Sequence, residues 1–171
     1  MKSLKESLLN EGIKITKTKK FVTKYSSGYY YEPAEITIGY VKGAGYEFYG
    51  AEEEGLDNYD TIDFSMEFDH DSWDCDFTFE EAKKLAYYFN NAEKAPSFDE
   101  WGVSDPIEDS SLTIYEFYDP ANKNYCDCEG CPDEKCLVIQ MWNDGPGTSE
   151  YVYLTLDECK AIAKYILKLV K

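Results

Sequence analysis

The chain has 171 residues and a formal net charge of −17, with 34 acidic side chains, 17 lysines and no arginine. Contacts to nucleic-acid phosphates need Lys and Arg, so this balance argues against direct nucleic-acid binding and favours a basic protein partner, although a merely solvated surface would carry the same charge. Apolar residues at 43% and aromatic residues at 16% exclude a disordered acidic tail.

Residues 1–12 predict a short amphipathic helix, with Leu4, Leu8 and Leu9 on one face and a stop at Gly12. They lack the apolar stretch and the small-residue cleavage site of a secretory signal peptide. No apolar run approaches the roughly 18 residues of a membrane span. We therefore expect a cytoplasmic protein without a membrane partner, in which structural disulfides are uncommon.

Residues 62–79 predict a β-hairpin in which apolar and polar side chains alternate along both strands. The inward face is expected to carry Ile62, Phe64, Met66, Phe68, Trp73, Cys75, Phe77 and Phe79. The opposite face is expected to expose a row of carboxylates to solvent. The candidate partner-binding residues are Asp63, Glu67, Asp69, Asp71, Asp74 and Asp76, with Glu52, Glu53 and Glu54 nearby.

Two segments of the chain match each other at an offset of 77 residues: FTFEEAKKLAYYF at 77–89 and LTLDECKAIAKYI at 154–166. Both contain Thr-x-x-Glu, the signature of a capping box, followed by apolar residues at helical spacing. Upstream, the ITI at 36–38 matches the LTI at 112–114. We predict an α+β fold of two pseudo-repeated β-β-β-α units, which form an antiparallel sheet with the helices packed on one face.

The whole chain, 1–171, is predicted to be a single domain. Residues 1–35 form an N-terminal helix and lead-in, and 36–92 form the first unit. Residues 93–111, with Pro96 and Asp105-Pro106, are expected to link the units. Residues 112–171 form the second unit, which includes a cysteine-rich loop at 126–136.

That loop contains four of the six cysteines, in the stretch YCDCEGCPDEKC at 125–136. Four thiolates complete a tetrahedral zinc shell, and Cys128-x2-Cys131 followed by Pro132 resembles a zinc-knuckle turn. The corresponding loop of the first unit, near 43–60, has no cysteine, so the cluster is not needed to build the repeat. We predict one structural zinc ion per chain. Its ligands would be Cys126, Cys128, Cys131 and Cys136.

Disulfides, an iron–sulfur cluster and the absence of a joint role are the alternatives for this cluster. Four cysteines allow three disulfide pairings, and the sequence does not choose among them. The two other cysteines, Cys75 and Cys159, lie on faces that are expected to pack, and we predict that they are small core residues.

Catalytic motifs are absent from the sequence. The single histidine, His70, lies at the predicted hairpin turn, and there is no glycine-rich nucleotide loop and no nucleophile elbow. The segment 69–74 begins like a calcium loop, but Asp74 stands where such a loop requires Gly. We therefore predict a protein that is not an enzyme and has no catalytic residue.

In size, charge and its metal-like loop, the chain resembles the small acidic anti-defence proteins of bacteriophages, the anti-CRISPR and anti-restriction inhibitors. Some anti-CRISPR proteins that target Cas9 contain zinc. The resemblance implies an inhibitor that binds Cas9 or another defence nuclease in the host cytoplasm. Its carboxylates would imitate phosphates in the channel that receives the guide–target duplex, and would block DNA loading. The alternatives are a toxin-neutralising immunity protein and an anti-restriction DNA mimic, neither of them an enzyme.

Overall fold

The computed structural model describes residues 15–26, 32–42, 60–68, 71–94, 102–105, 110–122, 131–143 and 148–171. The predicted N-terminal helix at 1–12 lies outside these residues. Within these residues, eight strands and two helices follow one another. They are β1 (Ile15–Ser26), β2 (Pro33–Val41), β3 (Thr61–Glu67), β4 (Ser72–Thr78), α1 (Phe79–Asn90), β5 (Gly102–Asp105), β6 (Ser110–Tyr118), β7 (Cys136–Asn143), β8 (Thr148–Thr155) and α2 (Leu156–Leu169), with a short 3₁₀ turn (Ala92–Lys94) after α1.

The strands form two antiparallel sheets of four strands each, in the orders β1-β2-β3-β4 and β5-β6-β7-β8. The fold is therefore α+β with antiparallel pairing, as expected. The prediction of one sheet is wrong, because β4 and β5 are not joined by a hydrogen-bonded ladder. Instead β4 lies beside β5 and β1 lies beside β8, so the edges of the two sheets approach each other.

Each sheet also contains one strand more than the three that the sequence predicted. The strand β1 falls in the segment expected to be a lead-in, and the four-residue β5 falls in the expected linker. The sequence of β1, ITKTKKFVTKYS, does not show the regular alternation of apolar and polar residues that predicts a strand. The reason is a bulge that interrupts the pairing with β2 between Thr16 and Lys19. Lys17 has a φ of 51° within this bulge, which is the left-handed conformation that a bulge residue adopts.

The inward faces of both sheets build one core together with both helices. The alternation predicted for β3 and β4 is confirmed, because Ile62, Phe64 and Phe77 are completely buried. In the second sheet Leu137 and Ile139 of β7 are equally buried, and they belong to the same cluster. The two sheets and two helices therefore stabilise each other through a shared apolar interior, and burial on this scale is the main source of folding free energy.

Both helices begin with the predicted capping box. The Thr78 hydroxyl accepts the Glu81 N–H while the Glu81 carboxylate accepts the Thr78 N–H, and Thr155 and Glu158 repeat the arrangement at the start of α2. These bonds satisfy backbone donors that have no partner inside a helix. They fix the point at which β4 and β8 turn into helices, and α1 and α2 then pack against each other.

Candidate functional site

The outer face of the first sheet is the face that the sequence marked for partner binding. Antiparallel pairing arranges its side chains in rows across the strands. The row at one end is Glu35, Glu67 and Ser72, and two rows further along it is Gly39, Asp63 and Asp76. Glu67 and Ser72 are exposed, whereas Asp63 and Asp76 are only 3% and 1% exposed. The acidic face is therefore open at one end and covered at the other.

The expectation that Asp63 and Asp76 lie on the solvent-exposed surface is wrong. Alternation correctly places them opposite the core, but it does not say what covers that side. The start of β1 folds over this end of the face: a Cβ added to Gly39 would lie 2.3 Å from Ile15 Cγ2 and 3.2 Å from Thr18 Cγ2. Because Gly39 is the cross-strand neighbour of Asp63, the same end of the sheet is closed to a large partner.

At the open end, two carboxylates face each other directly across neighbouring strands. Glu35 of β2 pairs with Glu67 of β3 in the ladder, and like charges in that position destabilise a sheet. Lys20 of β1 relieves part of this repulsion through an exposed ion pair with Glu35 at 3.1 Å. Glu32 and Phe68 complete an acidic cleft of about 320 Å³ at this end of the sheet.

The remaining predicted acids divide into two groups. Asp71 is exposed beside the open end, and Asp74 of β4 is half-buried one row further in. Asp69 lies outside the described residues, as do Glu52, Glu53 and Glu54. The sequence analysis missed Glu32 and Glu35. Their signal was present, because Glu35 alternates with the buried Ala34 and Ile36 just as Glu67 alternates with Met66.

The described part of the cysteine-rich segment, residues 131–136, lies at the outer face of the second sheet. Cys136 is the first residue of β7 and pairs with Tyr118 of β6 and Thr155 of β8. The Tyr118 hydroxyl donates to the Pro132 carbonyl at 3.1 Å. Two neighbours in the ladder and one side-chain bond therefore fix the backbone between the last two cysteines.

The end of β1 holds the same segment from the other side. The Tyr25 hydroxyl donates to Asp133 Oδ1 at 2.5 Å, and Lys24 Nζ lies 2.8 Å from Glu134 Oε2. The hydrogen bond from Tyr25 lowers the pKa of the Asp133 carboxyl. Burial, together with the Asp133 charge, raises the pKa of Tyr25 to about 12. This bond therefore joins a neutral phenol to an ionised carboxylate over a wide pH range.

Cys131 and Cys136 lie close to the same two tyrosines. Burial raises the pKa of both Tyr118 and Tyr153, and both cysteines add to the two shifts. Cys136 is fully buried, and that burial raises the pKa of its thiol to about 12. Neither cysteine forms a disulfide. Two of the four predicted zinc ligands thus lie on one flank of the second sheet as free thiols.

The described residues alone do not complete a metal centre, since no group of three or more His, Cys, Asp or Glu side chains among them is arranged to hold an ion. Cys126 and Cys128, the other two predicted ligands, lie outside those residues. The donor chemistry of Cys131 and Cys136 fits zinc, which binds thiolates and displaces their protons. Cys75 and Cys159 are buried core residues, as predicted.

A comparison of the chain with protein-family models gives no match, and a comparison with curated proteins gives none either. Within the part of the chain that the structure describes, neither helix is long and apolar enough to cross a membrane. The candidate site therefore has two parts, the open acidic end of the first sheet and the anchored cysteine segment at 131–136.

Proposed function

We propose that the protein is an acidic inhibitor of the bacteriophage anti-defence type, which acts in the host cytoplasm and is not an enzyme. It binds a basic nucleic-acid-binding surface of a bacterial defence nuclease, for which Cas9 is the expected target, and it blocks DNA loading. The channel of a Cas9-type effector is positively charged and recognises backbone geometry rather than sequence. A rigid surface with carboxylates at regular spacing suits such a channel.

The observation that carries this proposal is the direct pairing of Glu35 and Glu67. Two like charges in one ladder position reduce stability by roughly 0.2–1 kcal/mol. A cationic side chain of a partner placed between them would remove this repulsion and gain two charge-assisted contacts. The pair therefore favours binding of a basic partner over the free state.

The contact surface is smaller than the sequence suggested. It is centred on Glu35, Glu67 and Asp71, with Asp74 at its inner edge. Asp63 and Asp76 are removed from it, because buried carboxylates do not reach a partner. Asp69 and Glu52, Glu53 and Glu54 stay in the proposal. Alternate residues on one strand are about 6.8 Å apart, so the surface presents charges at a density of the same order as a nucleic-acid backbone.

The test is binding to a Cas9–guide RNA complex, followed by a measurement of DNA loading and cleavage. The double variant Glu67→Lys/Asp71→Lys is expected to weaken binding at least tenfold, an effect of about 1.4 kcal/mol or more, because it reverses two contacts. Glu80→Lys/Glu93→Lys is the matched control: it makes the same change in net charge at two exposed sites away from the face.

If DNA loading and cleavage proceed with the protein in excess, Cas9 is not the target. Binding to a restriction nuclease would then indicate an anti-restriction DNA mimic, and neutralisation of a basic toxin would indicate an immunity protein. If both double variants bind the Cas9 complex as tightly as the parent chain, the acidic face is not the contact.

We also propose that one structural zinc ion is held by Cys126, Cys128, Cys131 and Cys136. The free, anchored thiols of Cys131 and Cys136 support it. Elemental analysis of the purified protein should give one zinc per chain, and Cys136→Ser should remove it. Cys75→Ala, which changes a core cysteine, is the control and should retain the metal. A parent protein without zinc would contradict the proposal.

Finally, we propose that the two units, each made of four strands and a helix, are copies of one ancestral unit. The equal order of elements and the capping boxes at Thr78 and Thr155 support this proposal. Cross-strand contacts measured by NMR should give β2–α1 and β6–α2 the same strand register. A shifted register in the central strands would contradict it.

A further inference from the structure

A cleft at the end of α2 collects basic side chains, in a chain that has twice as many acids as lysines. It measures about 1020 Å³, against about 320 Å³ for the acidic cleft. Lys19 comes from β1, and Lys164 and Lys168 come from successive turns of α2. Among the described residues, the lining consists of Lys19, Asn90, Ala161, Lys164, Tyr165, Leu167, Lys168 and Lys171. None of these described residues has a carboxylate side chain.

None of the lysines in this cleft has a carboxylate partner among the described residues, whereas four other lysines do. Lys20, Lys24, Lys83 and Lys135 each form an ion pair with a glutamate. Among the described residues, none of Lys19, Lys164, Lys168 and Lys171 forms an ion pair. Four positive charges around one depression, with no carboxylate side chain among the described residues that line it, create a local positive potential.

The cleft also contains an aromatic surface. The Tyr165 hydroxyl donates to the Lys17 carbonyl, which fixes the orientation of the ring. Phe21 packs edge-on against that ring at 6.3 Å between centroids, and Lys19 Nζ lies 5.6 Å from its centroid. Ala161 is one turn before Tyr165 on α2, and its small side chain leaves space beside the ring. Because Lys19 lies over one face of the ring, a planar group would stack on the other face.

The net charge of −17 does not cancel this positive potential at physiological ionic strength. Charges in 0.15 M salt are screened over about 8 Å, so an anion inside the cleft senses mainly the lysines around it. The overall charge does act at longer range against a long polyanion, whose remaining phosphates would extend over the rest of the surface. The cleft therefore favours a small anion over a nucleic-acid strand.

We propose that this cleft binds a free nucleotide, whose phosphates contact Lys19, Lys164 and Lys168 and whose base stacks on Tyr165. Lysine is a compact cation with three donors and is a common phosphate ligand. Stacking of a base on an aromatic side chain contributes about 1–3 kcal/mol and does not depend strongly on the base. The Asn90 amide, at the end of α1, offers both a donor and an acceptor to the sugar or the base. This site is separate from the acidic face and independent of the inhibitor proposal.

Calorimetric titration of the full chain with ATP, inorganic triphosphate and adenosine tests this site. ATP should bind, and triphosphate and adenosine should each bind at least tenfold more weakly, because each supplies one of the two kinds of contact; tenfold corresponds to about 1.4 kcal/mol. Lys164→Glu/Lys168→Glu should weaken ATP binding by tenfold or more. Lys84→Glu/Lys94→Glu has the same charge change outside this cleft and should retain the parent affinity.

Tyr165→Leu should reduce ATP affinity to that of triphosphate while leaving triphosphate binding unchanged, and thermal melting confirms that the variant is folded. Absence of ATP binding, or equal loss in the two lysine double variants, would overturn the site. Equal affinity for ATP and triphosphate would overturn the stacking assignment. Tighter binding of a single strand of about 12 nucleotides than of ATP would overturn the choice of a free nucleotide.

Discussion

The two sheets have the same strand order and share one core, yet their outer faces differ in chemistry. The outer face of the first sheet ends in the carboxylates of Glu35 and Glu67. The outer face of the second sheet carries tyrosines that pack edge-to-face, with ring centroids 4.7 Å apart for Tyr115 and Tyr151 and 5.7 Å apart for Tyr118 and Tyr153. The first face stays open at its acidic end, whereas the second anchors the cysteine segment. Two sheets with the same strand order thus present different chemistry through the residues that point away from the core.

The largest expected effect tests whether the two sheets depend on one interior. Phe64→Ala in the first sheet should cost about 3–5 kcal/mol, and Ile139→Ala in the second about 2–5 kcal/mol, because both residues are fully buried. Urea unfolding followed by both tryptophan fluorescence and far-UV circular dichroism should show one transition for each variant. Separate transitions would mean that the sheets unfold independently and that the shared core is not cooperative.

The second-largest expected effect tests whether β1 closes one end of the outer face of the first sheet. Gly39→Ala should cost about 1–3 kcal/mol, because the new methyl group meets Ile15 Cγ2. Ile15→Ala should recover most of this cost when combined with Gly39→Ala, which a double-mutant cycle of unfolding free energies measures. Additive costs would show that β1 does not cover this position.

The capping boxes allow a matched comparison of the two units. Glu81→Ala should cost up to about 1 kcal/mol, the usual net value of a hydrogen bond. Glu158→Ala should cost more, since Glu158 Oε1 also accepts the Lys24 N–H at 2.6 Å and so ties β1 to α2. Equal losses in unfolding free energy would mean that this contact between β1 and α2 contributes no stability.

The tyrosines on the outer face of the second sheet should make the stability of the protein depend on pH in the alkaline range. Burial, with contributions from Tyr115 and Glu150, raises the pKa of Tyr151 above its ordinary value of 10.0. An unfolded chain then loses this proton at lower pH than the folded chain does, so the stabilisation is complete below pH 10 and falls as the pH rises further. Tyr151→Phe should flatten the fall of the urea midpoint between about pH 9 and pH 11. Tyr87→Phe, on the exposed side of α1, is the control and should leave the fall unchanged.

The smallest expected effect distinguishes a role of Glu67 in binding from a role in stability. Glu67→Lys places opposite charges across the ladder from Glu35, and it should therefore raise the unfolding free energy by roughly 0.2–1 kcal/mol. The same variant should bind a basic partner more weakly. A loss of both stability and binding would show that Glu67 has a structural role.

The strands and helices whose apolar faces build the core could be predicted well from the sequence. Alternation along β3 and β4, helical spacing along α1 and α2, and the caps at Thr78 and Thr155 are local patterns, and each reflects burial or hydrogen bonding within a few residues. The strand β1 escaped prediction because its lysines and the bulge at Lys17 interrupt the alternation. The four-residue β5 is too short to show a period.

The outer faces could be predicted only in part, because they depend on long-range contacts. The alternation of Asp63 with Ile62 and Phe64 gives its side of the sheet, but the approach of Ile15 to Gly39, which closes this end, joins residues 24 positions apart. In the same way, the lysines at both ends of the chain are visible in the sequence, whereas the meeting of Lys19 with Lys164 requires the fold. Cys131 and Cys136 were predicted as ligands from their spacing. The hydrogen bonds from Tyr25 and Tyr118 that anchor the segment between them were not predicted.

We propose above that the open acidic end of the first sheet is the contact surface for a basic partner. The most direct measurement is the dissociation constant for the Cas9–guide RNA complex of two double variants, one on each outer face. Glu67→Lys/Asp71→Lys should weaken binding at least tenfold, about 1.4 kcal/mol. Gln140→Ala/Trp142→Ala, on the outer face of the second sheet where Trp142 is 38% exposed, should bind as the parent does. Retained binding in the first variant with loss in the second would contradict the account and assign the contact to the second sheet.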